Sequence, residues 1–456
     1  MTTWDDAFST TAELTHAMSD SALLRGMLVF EAALAKAQAE AGLASPEAAT
    51  LIADVCARLP LDEPALFAAG AKSATLALPL VKRLTEAVRE RDPAAAAWVH
   101  FGATSQDVLD TALVLQLDRA LDLIEADLMR LASACARLAQ KHRSTAMLGR
   151  TLLQPATPIV FGLKAAQWLA AAADCLVRLR ACARRALVVQ FGGATGTLAS
   201  LGAASAEIAA LVNRSLTPAR GRREARAALP WHTRRGDLIA LTAEFGIATG
   251  VCAKIARDVS LMMQFEVSEA MEPAEAGRGA SSAMPHKRNP VRCLVALSAG
   301  LRAPQLVAAL MAGMAQEHER ALGGWQAESA VLPELVKLCG GATAAMADTL
   351  EGLVVDEARM RANLDSLRGL PMTEMVALAL AQKVGREAAH ESVERAARKT
   401  AAGKVSLAEA LRQEALVTAH LSDAEIERLL DPASAQGATQ TFIDLALERW
   451  EQARAG

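Results

Sequence analysis

From Asp110 to about Arg143 the chain contains neither glycine nor proline, and its apolar side chains keep a single step. Val114, Leu117, Leu121, Ile124, Leu128, Leu131, Cys135 and Leu138 follow one another by alternating threes and fours. That is a heptad seam, which only an α-helix keeps on one face. At 1.5 Å per residue the helix is about 50 Å long. A helix of this length needs neighbours along its whole seam, so the chain is expected to build a bundle of long helices. The composition agrees: 52% of residues are hydrophobic, but only 3% are aromatic and none is tyrosine. The apolar content is Ala, Leu and Val, which suits close-packed helices better than sheets.

Four more segments read as long helices. They run from Pro158 to about Val189, from Asp237 to about Glu269, from Pro290 to Ala321 and from Gln326 to Leu353. Thr157 followed by Pro158 reads as an N-cap and an N1 proline. Before residue 100 the pattern is shorter, with an amphipathic helix over Ala22–Ala41 and breaks at Pro46, Pro60, Pro64 and Pro79. No strand-like alternation stands out there. After about Val354, Gly369, Pro371, Gly385 and Gly403 again divide the chain into short helices. The expected fold is all-α in three domains: 1–109, a central 110–354 holding five long helices, and 355–456.

Several function classes are excluded at this stage. A net charge of −3 offers no basic surface for nucleic acid. Seven cysteines, an odd number without a C-x-x-C pair, argue for free thiols in a reducing compartment and against a zinc site. The first residues, M-T-T-W-D-D-A-F, lack the basic and apolar regions of a signal peptide. The longest charge-free run, Ala186–Ala206, is too broken by glycine, Gln190 and hydroxyl residues to span a bilayer. A soluble, cytoplasmic protein with no membrane contact is the expectation.

The chemistry-bearing stretch is Gly277–Pro290, G-R-G-A-S-S-A-M-P-H-K-R-N-P. Apart from Arg278, its first half has small side chains that let backbone approach a ligand. Its second half is stiffened by Pro285 and Pro290, and Asn289-Pro290 reads as a helix start. That helix would aim unpaired N–H groups and its positive dipole end at the loop, beside His286, Lys287 and Arg288. The expectation is an anion site with the hydroxyls of Ser281 and Ser282 beside it. Two further stretches read as anion-seeking helix starts. In Trp98–Asp110, W-V-H-F-G-A-T-S-Q-D-V-L-D, Thr104 or Ser105 can cap the following helix, with Asp107 in its first turn. In Gly149–Pro158, G-R-T-L-L-Q-P-A-T-P, the Thr157 start lies beside the Gln154 amide. Gln190–Gly202 is glycine-rich but follows no strand, so it reads as a turn between helices and not as a nucleotide cradle. His232, in P-W-H-T-R-R-G-D, reads either as a buried, bonded histidine or as a residue facing a ligand. Glu317–Arg320 reads as a charge network on one helix face.

The loop S-S-x-M-P-H-K-R-N-P resembles the signature of the fumarase/aspartase superfamily, whose members make or break a C–O or C–N bond beside a carboxylate. H-x-G-x-T-S-x-D, at residues 100–107, is similar to a second region of that superfamily. The branch most similar holds adenylosuccinate lyases and 3-carboxy-cis,cis-muconate cycloisomerases. P-W-H-T-x-R resembles the cycloisomerases and not their lyase relatives, and the stretch Q-E-H-E-R-A-L-G-G-W-Q-A-E (Gln316–Glu328) also resembles the cycloisomerases. The resemblance implies a fumarase/aspartase-type fold, no cofactor, no metal, and a homotetramer with sites built from several chains. It implies a small tricarboxylate substrate and the interconversion of 3-carboxy-cis,cis-muconate and 4-carboxymuconolactone. It assigns Ser282 as general acid/base and Lys287 as the charge-stabilising partner. Thr104, Ser105, Gln154, His232, Arg235, Ser281 and Asn289 would contact the substrate. The lyases supply a histidine after G-R-T, where this chain has Leu152, followed by Pro155. That departure, with the lack of tyrosine, counts against adenylosuccinate lyase, the nearest rival among the C–N and C–O lyases. A non-enzymatic helical scaffold would be free to lose Ser282, Lys287 and Asn289, and all three are present.

Overall fold

The structure is a computed structural model that describes residues 3–221, 229–281, 283, 284, 286–403 and 405–455. Helices dominate it. Those that frame the site regions are α1 (Asp20–Glu40), α2 (Ser105–Lys141), α3 (Phe161–Ala186), α4 (Gly236–Met262), α5 (Val291–Ala312) and α6 (Gly324–Glu351). A two-stranded hairpin, β1 (Ala146–Thr151) and β2 (Gln154–Val160), interrupts the order between α2 and α3. The fold is all-α, with α2 to α6 as its five long helices.

The chain divides into two compact units. The first comprises Met1–Leu128, Cys175–Ala253 and Val295–Ala345. Its N-terminal core gathers Phe30 and Leu34 of α1, Ile52, Leu80 and Leu84 of shorter helices, and Phe191. The rings of Phe30 and Phe191 meet edge to face at 5.9 Å. The long helices approach closely within this unit because small residues line their contacts. A Cβ on Gly300 of α5 would stand 2.5 Å from the Ala253 Cβ of α4. Ion pairs tie the same helices: Arg178 to Glu244 at 2.9 Å, and Arg180 to Glu125 at 3.2 Å.

The second unit comprises Met129–Asp174, Lys254–Leu294 and Met346–Gly456. Here the Trp168 indole N–H of α3 donates to Asp258 of α4 at 2.9 Å. Arg130 of α2 reaches Asp348 and Glu351 of α6 at 2.7 and 2.6 Å. The C-terminal helices Thr373–Val384, Arg386–Ala401 and Leu407–Arg412 enclose Val376, Leu380, Val393, Leu407 and Leu411.

The hairpin corrects the expected helix start at Thr157-Pro158. Both residues lie in β2, where Pro158 pairs with Leu148, and a bulge separates Leu148 from Arg150. The first N–H groups of α3 find backbone acceptors instead: Phe161 N–H donates to Thr145 and Gly162 N–H to His142, each at 2.9 Å. The turn joining the strands is Leu152-Leu153, with φ of 52° and 64°. Two left-handed residues in a two-residue hairpin ordinarily call for Asn-Gly or Gly-Gly. Leucines there leave no turn signal in the sequence, and they stand 96% and 75% exposed.

Other boundaries also differ from expectation. α5 ends at Ala312, and residues 313–323 are irregular up to the start of α6. Both α5 and α6 continue through an internal proline, Pro304 and Pro333. By length and composition α4, α5 and α6 could each cross a membrane; in α5 only 33% of the apolar window is buried within the chain.

Candidate active site

Two buried carboxylates, one in each unit, anchor the stretches that carry most of the expected site residues. In the first unit the centre is Asp107, in the opening turn of α2, with no solvent exposure. Its Oδ2 accepts the Thr104 N–H at 3.1 Å and the Gly193 N–H at 2.9 Å. Its Oδ1 accepts the Gly192 N–H and the Gln190 amide, both at 3.0 Å, and His232 Nε2–H at 2.9 Å. The glycine-rich segment is thus bound to the T-S turn through one carboxylate. Gln190 is held in turn: its backbone N–H and C=O both bond Thr111 Oγ1, and its amide oxygen accepts the Trp231 N–H at 2.5 Å. Gly193 has φ of +68°, and a Cβ there would come within 3.1 Å of the Gly102 carbonyl. Only glycine lets the two turns touch. Thr104 and Ser105 remain half-exposed.

The same turn is braced from α1. Glu31, 1% exposed, accepts the His100 N–H at 3.0 Å and pairs with His100 Nδ1 at 2.6 Å. His100 itself has φ of 58°. Burial opposes a charge on this imidazole, but the Glu31 carboxylate outweighs it and holds the pKa above the ordinary value. The Gln38 amide of α1 donates to the Phe101 carbonyl at 2.7 Å.

His232 and Arg235, expected to border substrate, are 4% and 2% exposed. Arg235 donates to both oxygens of Asp110, at 2.7 and 3.2 Å, and to both oxygens of Glu328, with Nε–H at 3.0 Å. Its guanidinium carbon lies 4.6 Å from the centroid of the Trp231 ring. Burial works against its charge, yet Asp110 and Glu328 hold its pKa above the ordinary value. Burial pushes the Glu328 carboxyl up, against the pull of Arg235. Asp110 also accepts the Trp325 indole N–H at 3.1 Å and the Gln106 amide at 3.1 Å. His232 and Arg235 therefore face inward, bonded to the acids of α2 and α6.

In the second unit the centre is Glu272, 4% exposed. It overturns the picture of an open helix start. The Cys293 and Arg292 N–H groups at the head of α5 donate to Glu272 at 2.7 and 3.3 Å. Asn289 is not the acceptor that caps this helix; its side-chain amide donates to the Gly279 carbonyl at 3.2 Å, as its backbone N–H does at 2.9 Å. Ala280 and Arg288 form a bridge, and Arg288 donates to the Glu272 carbonyl at 3.0 Å. Glu275 ties Arg278, at 2.7 Å, to Arg292, and these guanidinium partners hold its carboxyl below the usual range. The signature loop is an arch whose base is pinned on every side. Its tip carries Ser281, whose Oγ accepts the Met284 N–H at 3.1 Å, and Lys287, whose side chain is exposed. Ser282 lies outside the described residues.

Gln154 opens β2 opposite Thr151 and is exposed. Beneath it Arg150 forms a two-pronged pair with buried Glu269, at 2.7 and 2.9 Å, and Asn363 donates to the same carboxylate at 2.9 Å. Asp107 was legible only as a helix-start acid, and Gln190, Glu31 and Glu272 carried no local signal. Each acts through partners remote in sequence. Among the described residues no group of three His, Cys, Asp or Glu side chains stands ready for a metal ion. None of the seven cysteines forms a disulfide, and burial pushes the Cys56 and Cys339 thiols up to about 12, far from nucleophilic.

Comparison with known proteins matches this arrangement to one group. A family model described as Lyase matches residues 6–303, and one described as Adenylosuccinate lyase C-terminus matches residues 369–446. The 3-carboxy-cis,cis-muconate cycloisomerase of Bradyrhizobium diazoefficiens is 46% identical over 445 residues, covering 97% of this chain and 96% of that one. The nitrosuccinate lyase of Streptomyces davaonensis is 44% identical over 433 residues, covering 94% and 91%. The crystal structure of the 3-carboxy-cis,cis-muconate lactonizing enzyme from Pseudomonas putida has a TM-score of 0.91, at 41% identity, over 99% of both chains. The chain belongs to the lyase family of the fumarase/aspartase superfamily, beside the 3-carboxy-cis,cis-muconate cycloisomerases.

Proposed function

We propose that this protein interconverts 3-carboxy-cis,cis-muconate and 4-carboxymuconolactone. The reading rests on one observation above others: near-full-length identity to cycloisomerases, in a chain that carries Leu152 where the superfamily's lyases place a histidine. The reaction adds one carboxylate oxygen of the substrate across a C=C bond, and a proton joins the carbon α to another carboxylate. In the reverse direction that proton leaves and the C–O bond breaks. Negative charge grows on the α-carboxylate as an enediolate. Ser282 moves the proton, and Lys287 neutralises the growing charge. The substrate supplies its own nucleophile, so positioning supplies much of the rate. The hydroxyls of Thr104, Ser105 and Ser281 and the amides of Gln154 and Asn289 seat the remaining carboxylates. His232 and Arg235 act one layer further in, by fixing α2.

The working form is a homotetramer in the cytoplasm, with sites shared between chains. Leu301 and Met311 of α5 are 76% and 48% exposed, and the Leu152-Leu153 tip is bare, which supports further apolar packing. Sedimentation equilibrium tests this; a stable monomer contradicts it.

The nitrosuccinate lyase relative favours a second reading, C–N cleavage beside a carboxylate. One assay separates the two. Purified protein is given 3-carboxymuconate, followed by ultraviolet absorbance, and nitrosuccinate, followed by nitrite release. Loss of diene absorbance with lactone formation supports the cycloisomerase; nitrite alone supports the lyase.

A further inference from the structure

We propose that Asp107 is the positioning residue of the carboxylate seat: it locks the Thr104-Ser105 turn to the glycine segment Gly192–Gly193, so that the two move as one body. Five donors converge on this carboxylate, from α2's own head (Thr104), from the glycine segment (Gln190, Gly192, Gly193) and from His232. A fully buried carboxylate is costly unless its lone pairs are filled, and here both oxygens are filled. Filling them needs three segments in fixed register. The two turns are also packed closely, since a Cβ on Gly193 would stand 3.1 Å from the Gly102 carbonyl oxygen. Arg320 donates to the Ala194 carbonyl at 3.1 Å, which steadies the exposed end of the glycine segment. Asp107 itself offers no free oxygen to a ligand. Its part is to set where the half-exposed Thr104 and Ser105 present their hydroxyls.

The kinetic arm of the test rests on the function proposed above; the exchange arm does not. In Asp107→Asn the amide brings its own hydrogens to one oxygen's place, so at least one of the five donors loses its acceptor. Amide hydrogen exchange should then quicken by about tenfold or more in residues 102–106 and 191–198 together, and stay unchanged in Thr439–Ala455. With carboxymuconate as substrate, KM should rise about tenfold while kcat falls less, because the substitution displaces the carboxylate seat. Gly193→Ala, which forces a Cβ against Gly102 at positive φ, should loosen the same two segments if the Asn variant does not fold. Exchange that quickens in only one segment, or in neither, overturns the proposal, as does an unchanged KM in an active enzyme. If wild-type protein does not turn over carboxymuconate, the proposed activity fails and the exchange result still decides the role of Asp107.

Discussion

The T-S turn and the signature loop solve one problem in opposite ways. Each leads into a long helix, and each is fastened by an internal carboxylate: Asp107, in the first turn of α2, takes the Thr104 N–H and four donors from residues 190–193 and 232, and Glu272, ahead of α5, takes the N–H groups of Arg292 and Cys293. Around Asp107 the donors are buried, and the turn is closed by glycine contact and by Glu31 of α1. Around Glu272 only the base is fixed; Ser281 is half-exposed and Lys287 stands in solvent. Under the proposed function the difference separates two duties. A seat for carboxylates gains from rigidity, since a displaced hydroxyl cannot compensate for its position. A segment that delivers a proton and an ammonium to a substrate must be able to approach it. At the head of α5 the Arg292 and Cys293 N–H groups are already taken by Glu272, so under the proposed function anion binding there rests on side-chain groups and Lys287.

The comparison is broken first in the signature loop. Ser282→Ala should leave the far-ultraviolet spectrum and melting temperature unchanged and lower kcat by about a thousandfold or more. Lys287→Met should cost about a hundredfold in kcat/KM, with both constants affected, because charge at that position helps the bound and the reacting states. Steady-state kinetics on the purified variants checks both; near-normal turnover in either removes that residue from the chemistry.

Changes at the base should act on stability before they act on rate. Glu272→Gln leaves a weaker acceptor at the head of α5 and should lower unfolding free energy by about 1–3 kcal/mol. Denaturant titration measures it; an unaltered midpoint would mean that those N–H groups have another acceptor. The smallest effect concerns His100. Its pKa is raised in the folded protein, so its pairing with Glu31 stabilises fully below the unfolded value of about 6.5. That contribution is lost as pH rises through the higher folded value. Wild-type melting temperature should therefore carry a downward component above pH 6.5 that His100→Asn lacks. Parallel pH profiles of the two proteins would contradict the pairing.

What could be read in the sequence follows from how local each signal is. The long helices announce themselves because a heptad seam repeats over the same residues that form the element; α2 was anticipated within a few residues at either end. The hairpin before α3 was hidden because its turn uses two leucines, and because Thr157-Pro158 imitates a helix start. The residues at the T-S turn and on the loop were singled out through their motifs. Asp107 was visible only as a first-turn acid, since its other donors come from residues 190–193 and 232. Arg235 showed as a motif residue, yet nothing local says that Asp110 and Glu328 will bury it. Glu272, with no motif around it, takes its place only once α5 is built.

The most direct test is crystallographic. Crystals of the assembled protein soaked with 4-carboxymuconolactone should show the ligand's carboxylates within hydrogen-bond reach of Lys287 and of the Thr104-Ser105 hydroxyls, with Ser282 facing the carbon that gives up its proton. A lactone bound elsewhere, with Ser282 and Lys287 untouched, would contradict the account.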